Sequence, residues 1–310
     1  MNAWVVGVDL GGTKTALGLI SPDNQIIAHR RIPTQAEEGP EHVVSRIVEQ
    51  VRDLEKAMPA GQRVAALGIC APGPLDHISG MLINPTNLPK FYNVPLRQML
   101  SDALGVPVSL EHDAKAAALG EMAYGAGRDV SSQVYVIVGT GVGAAIIMDG
   151  QIIRGVRNFA GEVGHITIDP LHGEPCACGS RGCVETFMSG PWLERRYQRI
   201  HPERQVTGGE ISQLAAQGDP AALDVLRGAG EALGVAVASM AMILDIELYI
   251  IGGSVARAGD FFLEPARQTA PKYSFVSVGP RIRIVGAELG EDGAILGSGW
   301  LARQALSGSA

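Results

Sequence analysis

The sequence predicts an α/β protein made of two related domains that face one cleft. The chain opens as strand, Gly/Thr turn, strand, at Val5–Val8, Asp9–Thr13 and Ala16–Ile20. The same order returns at Gln133–Val138, Gly139-Thr140-Gly141-Val142-Gly143 and Ala144–Met148. A chain of 310 residues has room for two domains with separate cores, so the repeat reads as two halves, each offering a glycine turn.

Each element has a local reason. Ala3–Leu10 is apolar and rich in β-branched residues, as a strand requires. Gly11-Gly12-Thr13-Lys14 turns the chain into a second strand, Thr15–Ile20, and Asp23-Asn24 into a third, Gln25–Arg31. This antiparallel meander differs from a βαβ opening. Pro40–Met58 places Val44, Ile47, Val48, Val51 and Leu54 on one helical face. Arg63–Cys70 reads as a buried strand, with Cys70 a plain core thiol, followed by Ala71-Pro72-Gly73-Pro74. Val94–Leu104 is expected to be helical, Val108–Glu111 a strand ending at His112-Asp113, and Ala114–Gly120 the start of a helix. Gly190–Arg199 and Ile211–Ala216 also read as helices. Ala221–Leu244 is alanine-rich and apolar nearly all round, so it is expected to lie buried between the domains. Leu248–Ile251 and Arg281–Val285 are the last strands, and Gly293–Leu306 the closing helix. The expected domains are 1–118, with 293–310 packing back on it, and 119–292.

Composition narrows the function. Hydrophobic residues at 46% and charged residues at 18% describe a globular protein, and a net charge of −7 offers no general basic face for nucleic acid. No apolar run is read as membrane-spanning, and no targeting segment is read ahead of the first strand, so the cytoplasm is the expected compartment. The 40 glycines bunch after apolar runs, where backbone must approach something closely.

The densest chemistry runs from Glu162-Val-Gly-His165 to Cys176-Ala-Cys178-Gly-Ser-Arg-Gly-Cys183-Val-Glu185. Thiolates and a neutral imidazole are the ligand set of a tetrahedral structural Zn²⁺. The intervening loop has little core of its own, so a metal would hold its shape. Reduced cysteines in a glycine-rich loop are the plain alternative. A disulfide is disfavoured in the expected compartment.

Asp9-Leu10-Gly11-Gly12-Thr13-Lys14 ends a strand. Glycines there let backbone N–H groups meet phosphate oxygens, Thr13 adds a hydroxyl, and Asp9 is placed to hold Mg²⁺ through water. An ordinary hairpin turn is the alternative, but the second turn, with Gly139, Thr140, Gly141 and Gly143, suits a phosphate tail gripped twice. Gly252-Gly253 could lie against a purine. Neither a P-loop nor a dinucleotide-binding fingerprint fits, because no Gly-Lys-Ser/Thr follows and the first turn opens onto a strand. Asp113 sits at a strand's carboxyl end, either as a helix cap or as the carboxylate that takes a proton from an alcohol during phosphoryl transfer. Asn84, Asn87, Asp113, Glu162, His165 and Glu185 together suit sugar hydroxyls, each of which donates and accepts.

These motifs, with Ala71-Pro72-Gly73-Pro74, Asn84-Pro-Thr-Asn87 and Glu111-His-Asp113-Ala, resemble the ROK family of bacterial sugar kinases and sugar-responsive repressors over nearly the whole chain. The family lies within the sugar kinase/actin/heat-shock ATPase superfamily. The resemblance implies two actin-like, ribonuclease-H-like α/β domains with mixed sheets flanking a central cleft. It implies Asp113 as catalytic base on a sugar 6-hydroxyl, and Gly73, Asn87, His112, Glu162, His165 and Glu185 as sugar contacts. It implies zinc on His165, Cys176, Cys178 and Cys183, and ATP on Gly11–Lys14, Gly139–Gly143 and Gly252-Gly253. One departure stands out: the family usually has Asn where this chain has His112, and Lys115 also replaces a common Asn. The leading expectation is an ATP- and Mg²⁺-dependent, glucokinase-like hexose 6-kinase of carbohydrate metabolism, acting as a homodimer. Kinases of N-acetylglucosamine, N-acetylmannosamine, an amino sugar, mannose or fructose are alternatives. A repressor is disfavoured because Asp9 lies too near the start to leave space for a helix-turn-helix domain. A non-catalytic sugar-binding scaffold is disfavoured by Asp113 and the two turns.

Overall fold

The computed structural model describes residues 3–307, which divide into two compact units, one ending at Arg128 and resuming at Glu291, the other spanning Asp129–Gly290.

In the first unit, strands β1 (Val5–Leu10), β2 (Lys14–Ile20) and β3 (Ile26–Pro33) form the meander. Helix α1 (Pro40–Leu54) then carries the chain to β4 (Ala66–Ala71). A small hairpin of β5 (Leu75–Asp76) and β6 (Met81–Leu82) follows, then α2 (Leu96–Leu104), β7 (Val108–His112) and α3 (Asp113–Tyr124). The sheet order is β3-β2-β1-β4-β7, with β1 antiparallel to β2 and parallel to β4. The reversal after β1 follows from the two-glycine turn, and the parallel return follows from the α1 crossover. The core gathers Val6, Val8, Leu17, Leu19, Leu67 and Ile69 against Ile47, Val51 and Leu54 of α1. That helix stops at Leu54, short of the expected Met58, because its last turn tightens into a 3₁₀ turn at Glu55–Ala57.

In the second unit, β8 (Gln133–Val138), β9 (Val142–Met148) and β10 (Gln151–Ile153) repeat the meander. The helices α4 (Glu185–Met188), α5 (Gly190–Ile200), α6 (Gly208–Ala216) and α7 (Pro220–Leu244) precede β11 (Leu248–Gly252), α8 (Asp260–Thr269) and β12 (Arg283–Gly286). The order β10-β9-β8-β11-β12 copies the first sheet strand for strand. Two mixed sheets of this order are the actin-like ATPase arrangement. The last helix, α9 (Gly293–Ser307), belongs to the first unit.

Three expectations need correction. The boundary expected after residue 118 falls after Arg128, because α3 runs unbroken to Tyr124 and packs along α9 at backbone distance. A Cβ on Gly297 would stand 1.7 Å from the Ala116 carbonyl oxygen. Helix α7, expected between the domains, lies in the second unit's own core with Phe262 and Ala266 of α8. Among the described residues it is also long and apolar enough to cross a membrane, which the sequence reading passed over; 61% of its most apolar window is buried. Strand β10 and helix α8 were not anticipated.

Candidate active-site clusters

In the first unit, β1, β4 and β7 run parallel, so their carboxyl ends share one edge of the sheet. Asp9 stands at that edge on β1, Cys70 on β4, and His112 and Asp113 on β7 and the first turn of α3. The Cys70 thiol donates to Asp9 Oδ1 at 3.6 Å. Cys70 is the buried core thiol expected, with a polar neighbour that an apolar run hides and strand pairing supplies. Burial, then the charge of Asp113, pushes the Asp9 carboxyl up to about 6. Burial and the charge of Asp9 hold the Cys70 thiol well above its ordinary range.

The turn after β1 is held from β3's end. Gly11 N–H donates to the Lys14 carbonyl at 3.0 Å, the Thr34 hydroxyl donates to the Gly11 carbonyl at 2.7 Å, and Thr34 N–H donates to the Thr13 carbonyl at 2.9 Å. Thr34, which sequence reasoning missed, is thus the clamp of this turn. Gly12 is required by close approach, since its Cβ would lie 2.4 Å from the Asn87 carbonyl oxygen. Asn87 and the turn are therefore neighbours. Thr13 and Lys14 point outward, and the Lys14 ammonium meets Glu291 at 3.7 Å in solvent, a pair of small energetic weight.

Asp113 is the first residue of α3, with His112 at the cap position, so the reading of Asp113 as the cap itself does not hold. Its Oδ1 accepts from Ala114 N–H at 2.6 Å and lies 2.8 Å from His112 Nδ1. The imidazole edge rests over Gly73, where a Cβ would come within 3.0 Å of His112 Cδ2.

In the second unit, the turn between β8 and β9 closes through Gly139 N–H to the Gly141 carbonyl, 2.9 Å. Glu185 Oε2 accepts from Val142 N–H at 3.0 Å and faces Gly141, where a Cβ would stand 2.9 Å away. Glu185 therefore braces the second glycine turn, a link that spacing along the chain does not reveal. Gly252 and Gly253 have a packing reason for lacking side chains: a Cβ would meet the Tyr135 hydroxyl at 2.1 Å or the Val138 carbonyl oxygen at 2.3 Å.

Val163–His165 form a 3₁₀ turn after the exposed Glu162, and the chain then pairs with the cysteine loop through Ile168 N–H to Gly182 O and Val184 N–H to Ile166 O. One donor atom each from His165, Cys176, Cys178 and Cys183 lies within 4.8 Å of every other. Cys178 and Cys183 sulfurs are 3.7 Å apart, and Cys176 Sγ is 3.6 Å from His165 Nδ1. A tetrahedral zinc site with ordinary bond lengths has edges of about 3.8 Å between sulfurs and about 3.6 Å from sulfur to nitrogen. The donor set and its spacing fit zinc. Backbone N–H of Ser180 lowers the proton affinity of Cys178, whereas burial pushes Cys183 up to about 11. With Nδ1 facing the sulfurs, the opposite ring nitrogen of His165 is the one a second ligand would meet.

The ROK family model matches residues 5–305. A glucokinase of Halalkalibacterium halodurans is 33% identical over 319 residues, covering 98% of this chain and 96% of the relative. A xylose repressor of Caldicellulosiruptor bescii is 30% identical over 306 residues, covering 94% of this chain and 76% of the relative. Among solved structures, a ROK family glucokinase from Streptomyces griseus in complex with glucose and AMPPNP aligns with a TM-score of 0.81 at 31% identity, over 97% of this chain and 99% of its own.

Proposed function

The chain belongs to the ROK family, and from that premise we propose that it transfers the γ-phosphoryl group of ATP to the 6-hydroxyl of a hexose. The observation that carries this reading is that Asp9, at the first glycine turn, and Asp113 share one sheet edge closely enough for the charge of one to raise the proton affinity of the other. A carboxylate for the acceptor alcohol and a carboxylate beside a phosphate turn are the two acidic parts that phosphoryl transfer needs.

In this reading Gly73, Asn87, Glu162, His165 and Glu185 contact the sugar, and His112 stands beside Asp113, with Nδ1 2.8 Å from its Oδ1. The backbone of Gly11, Gly12, Gly139, Gly141 and Gly143, with Thr13, Lys14, Thr140, Gly252 and Gly253, takes the nucleotide. Asp113 orients the 6-hydroxyl and accepts its proton as the new O–P bond forms and the bond to the ADP oxygen breaks. Because the transition state is loose, an ionised aspartate suffices; its position matters more than its basicity. Mg²⁺, held through Asp9, would neutralise charge on the phosphates. The carboxylate fits that role, since burial and the charge of Asp113 disfavour its ionised form, which a cation would offset. Zinc on His165, Cys176, Cys178 and Cys183 would be structural.

The test is a coupled ADP-release assay over glucose, mannose, fructose, glucosamine, N-acetylglucosamine and N-acetylmannosamine, with polyphosphate as a second donor. Turnover of at least one hexose is expected. The Asp113→Ala variant should bind that sugar but lose at least about 100-fold in kcat, the scale set by a general base. A variant that kept a tenth of normal turnover would remove Asp113 from the role. Tight sugar binding by the wild type without turnover would favour a sugar-responsive or scaffold protein.

A further inference from the structure

His112 stands where the resemblance to the family implies Asn, and three contacts hold the residue, one at its backbone and two at its ring. Its backbone N–H donates to Glu111 Oε1 at 2.9 Å, and Glu111 is buried. Its ring edge lies over Gly73, the position where a side chain would collide with it. Its Nδ1 lies 2.8 Å from Asp113 Oδ1. An ionised carboxylate only accepts, so a hydrogen bond across this contact requires the hydrogen on Nδ1. Ala114 N–H donates to the same oxygen at 2.6 Å. The amide of α3's second residue and the imidazole nitrogen therefore both stand at Oδ1.

We propose that His112 is a positioning residue, whose Nδ1–H fixes Asp113 Oδ1 and so reserves Oδ2 for the substrate hydroxyl. This deepens the kinase reading and rests on it. It differs from the sugar contact that resemblance implies for this position, because Nδ1 faces the carboxylate, leaving only the far side of the ring for a hydroxyl. It also gives a chemical sense to the substitution. The amide nitrogen of Asn and Nδ1 of His are both attached to Cγ, so either side chain can place a donor at the same point. The amide of Gln lies one bond further out, near Nε2, and cannot. Fixing one carboxylate oxygen removes a rotation about the Cβ–Cγ bond that would otherwise spread the base over unproductive directions.

Two measurements test the proposal, and the first needs no turnover. Long-range ¹⁵N–¹H spectra of the imidazoles at a pH where the ring is neutral should show His112 as the Nδ1–H tautomer. In Asp113→Ala it should revert to the Nε2–H form. An Nε2–H tautomer in the wild type, unchanged in that variant, overturns the proposal. The second is a kinetic comparison with MgATP and the hexose turned over best. His112→Ala and His112→Gln should lower kcat roughly 10- to 100-fold, the cost of a misplaced reacting group, with the sugar KM within about twofold. His112→Asn should recover most of the loss. The opposite pattern, with Gln active, Asn inactive and the change in KM, makes His112 a sugar ligand and overturns positioning. Failure of the wild type on every hexose sinks the kinase reading instead, and the tautomer then decides the pair alone.

Discussion

At the scale of single residues, the first unit stores an electrostatic cost at Asp9. Its carboxyl is raised from 3.8 to about 6 by burial and then by the charge of Asp113. A raised carboxyl favours the folded state only while protonated. Its contribution is fully present below about pH 4 and is lost as pH rises through about 6. At neutral pH the ionised Asp9 therefore costs the free protein up to about 3 kcal/mol, a cost that a bound cation would offset. Asp9→Asn without added Mg²⁺ should accordingly melt above the wild type at pH 7.5, with the gap closing toward pH 4.5. Scanning calorimetry across that range measures it, and an equal gap at both ends would show that the charge is not strained. Asp9 and Asp113 were legible as candidates because each follows an apolar run and precedes a turn or helix. Their coupling was not legible, because it depends on parallel pairing of β1 with β4 and of β4 with β7, which brings together residues about a hundred positions apart.

At the scale of elements, the cysteine loop and the second glycine turn are joined by one side chain. Glu185 follows Cys183 by two residues, opens α4, and accepts from Val142 N–H at 3.0 Å. A carboxylate fixed in this way fills the space that Gly141 leaves open and holds the first amide of β9. Glu185→Gln keeps the shape but halves the acceptor capacity, and Glu185→Ala removes the brace. The alanine variant should therefore raise the KM for MgATP as well as for sugar, whereas a residue that only contacts sugar would leave the nucleotide KM alone. Steady-state kinetics with each substrate varied in turn separates the two. Short elements explain most of what sequence patterning missed. Strand β10 has three residues, too few for alternation to be read, and α8 carries Pro265 in its interior, which sequence rules score as a break. Where an element was long and one-sided, as in α1, or flanked by a glycine turn, as in β1 and β8, its place was legible from the residues alone.

At the scale of the whole chain, the same five-strand order occurs twice around two separate hydrophobic cores. The repeat was visible in the sequence because each copy needs glycines where its first strand reverses. Helix α7 was misplaced because an all-apolar helix announces burial without saying in what, and here Gly230 and Gly234 let it close onto α8 inside its own unit. The cysteine loop, from Asp169 to Cys183, adds no residue to that core. Gly182, at φ +63°, packs so closely on Asp169 that a Cβ would lie 1.8 Å from its carbonyl oxygen, and the loop is otherwise crossed by a few backbone bonds and by the cluster of His165, Cys176, Cys178 and Cys183. If zinc holds those ligands, its loss should act locally. Purified protein should carry about one zinc per chain by elemental analysis, and Cys178→Ser should lower that content and weaken sugar affinity. Hydrogen exchange after chelation should rise in peptides covering 162–190, which include His165 and Glu185, while peptides over β4 in the other core keep their protection. Protein without stoichiometric metal, or exchange that rises equally in β4, would mean that the loop is held by something other than zinc.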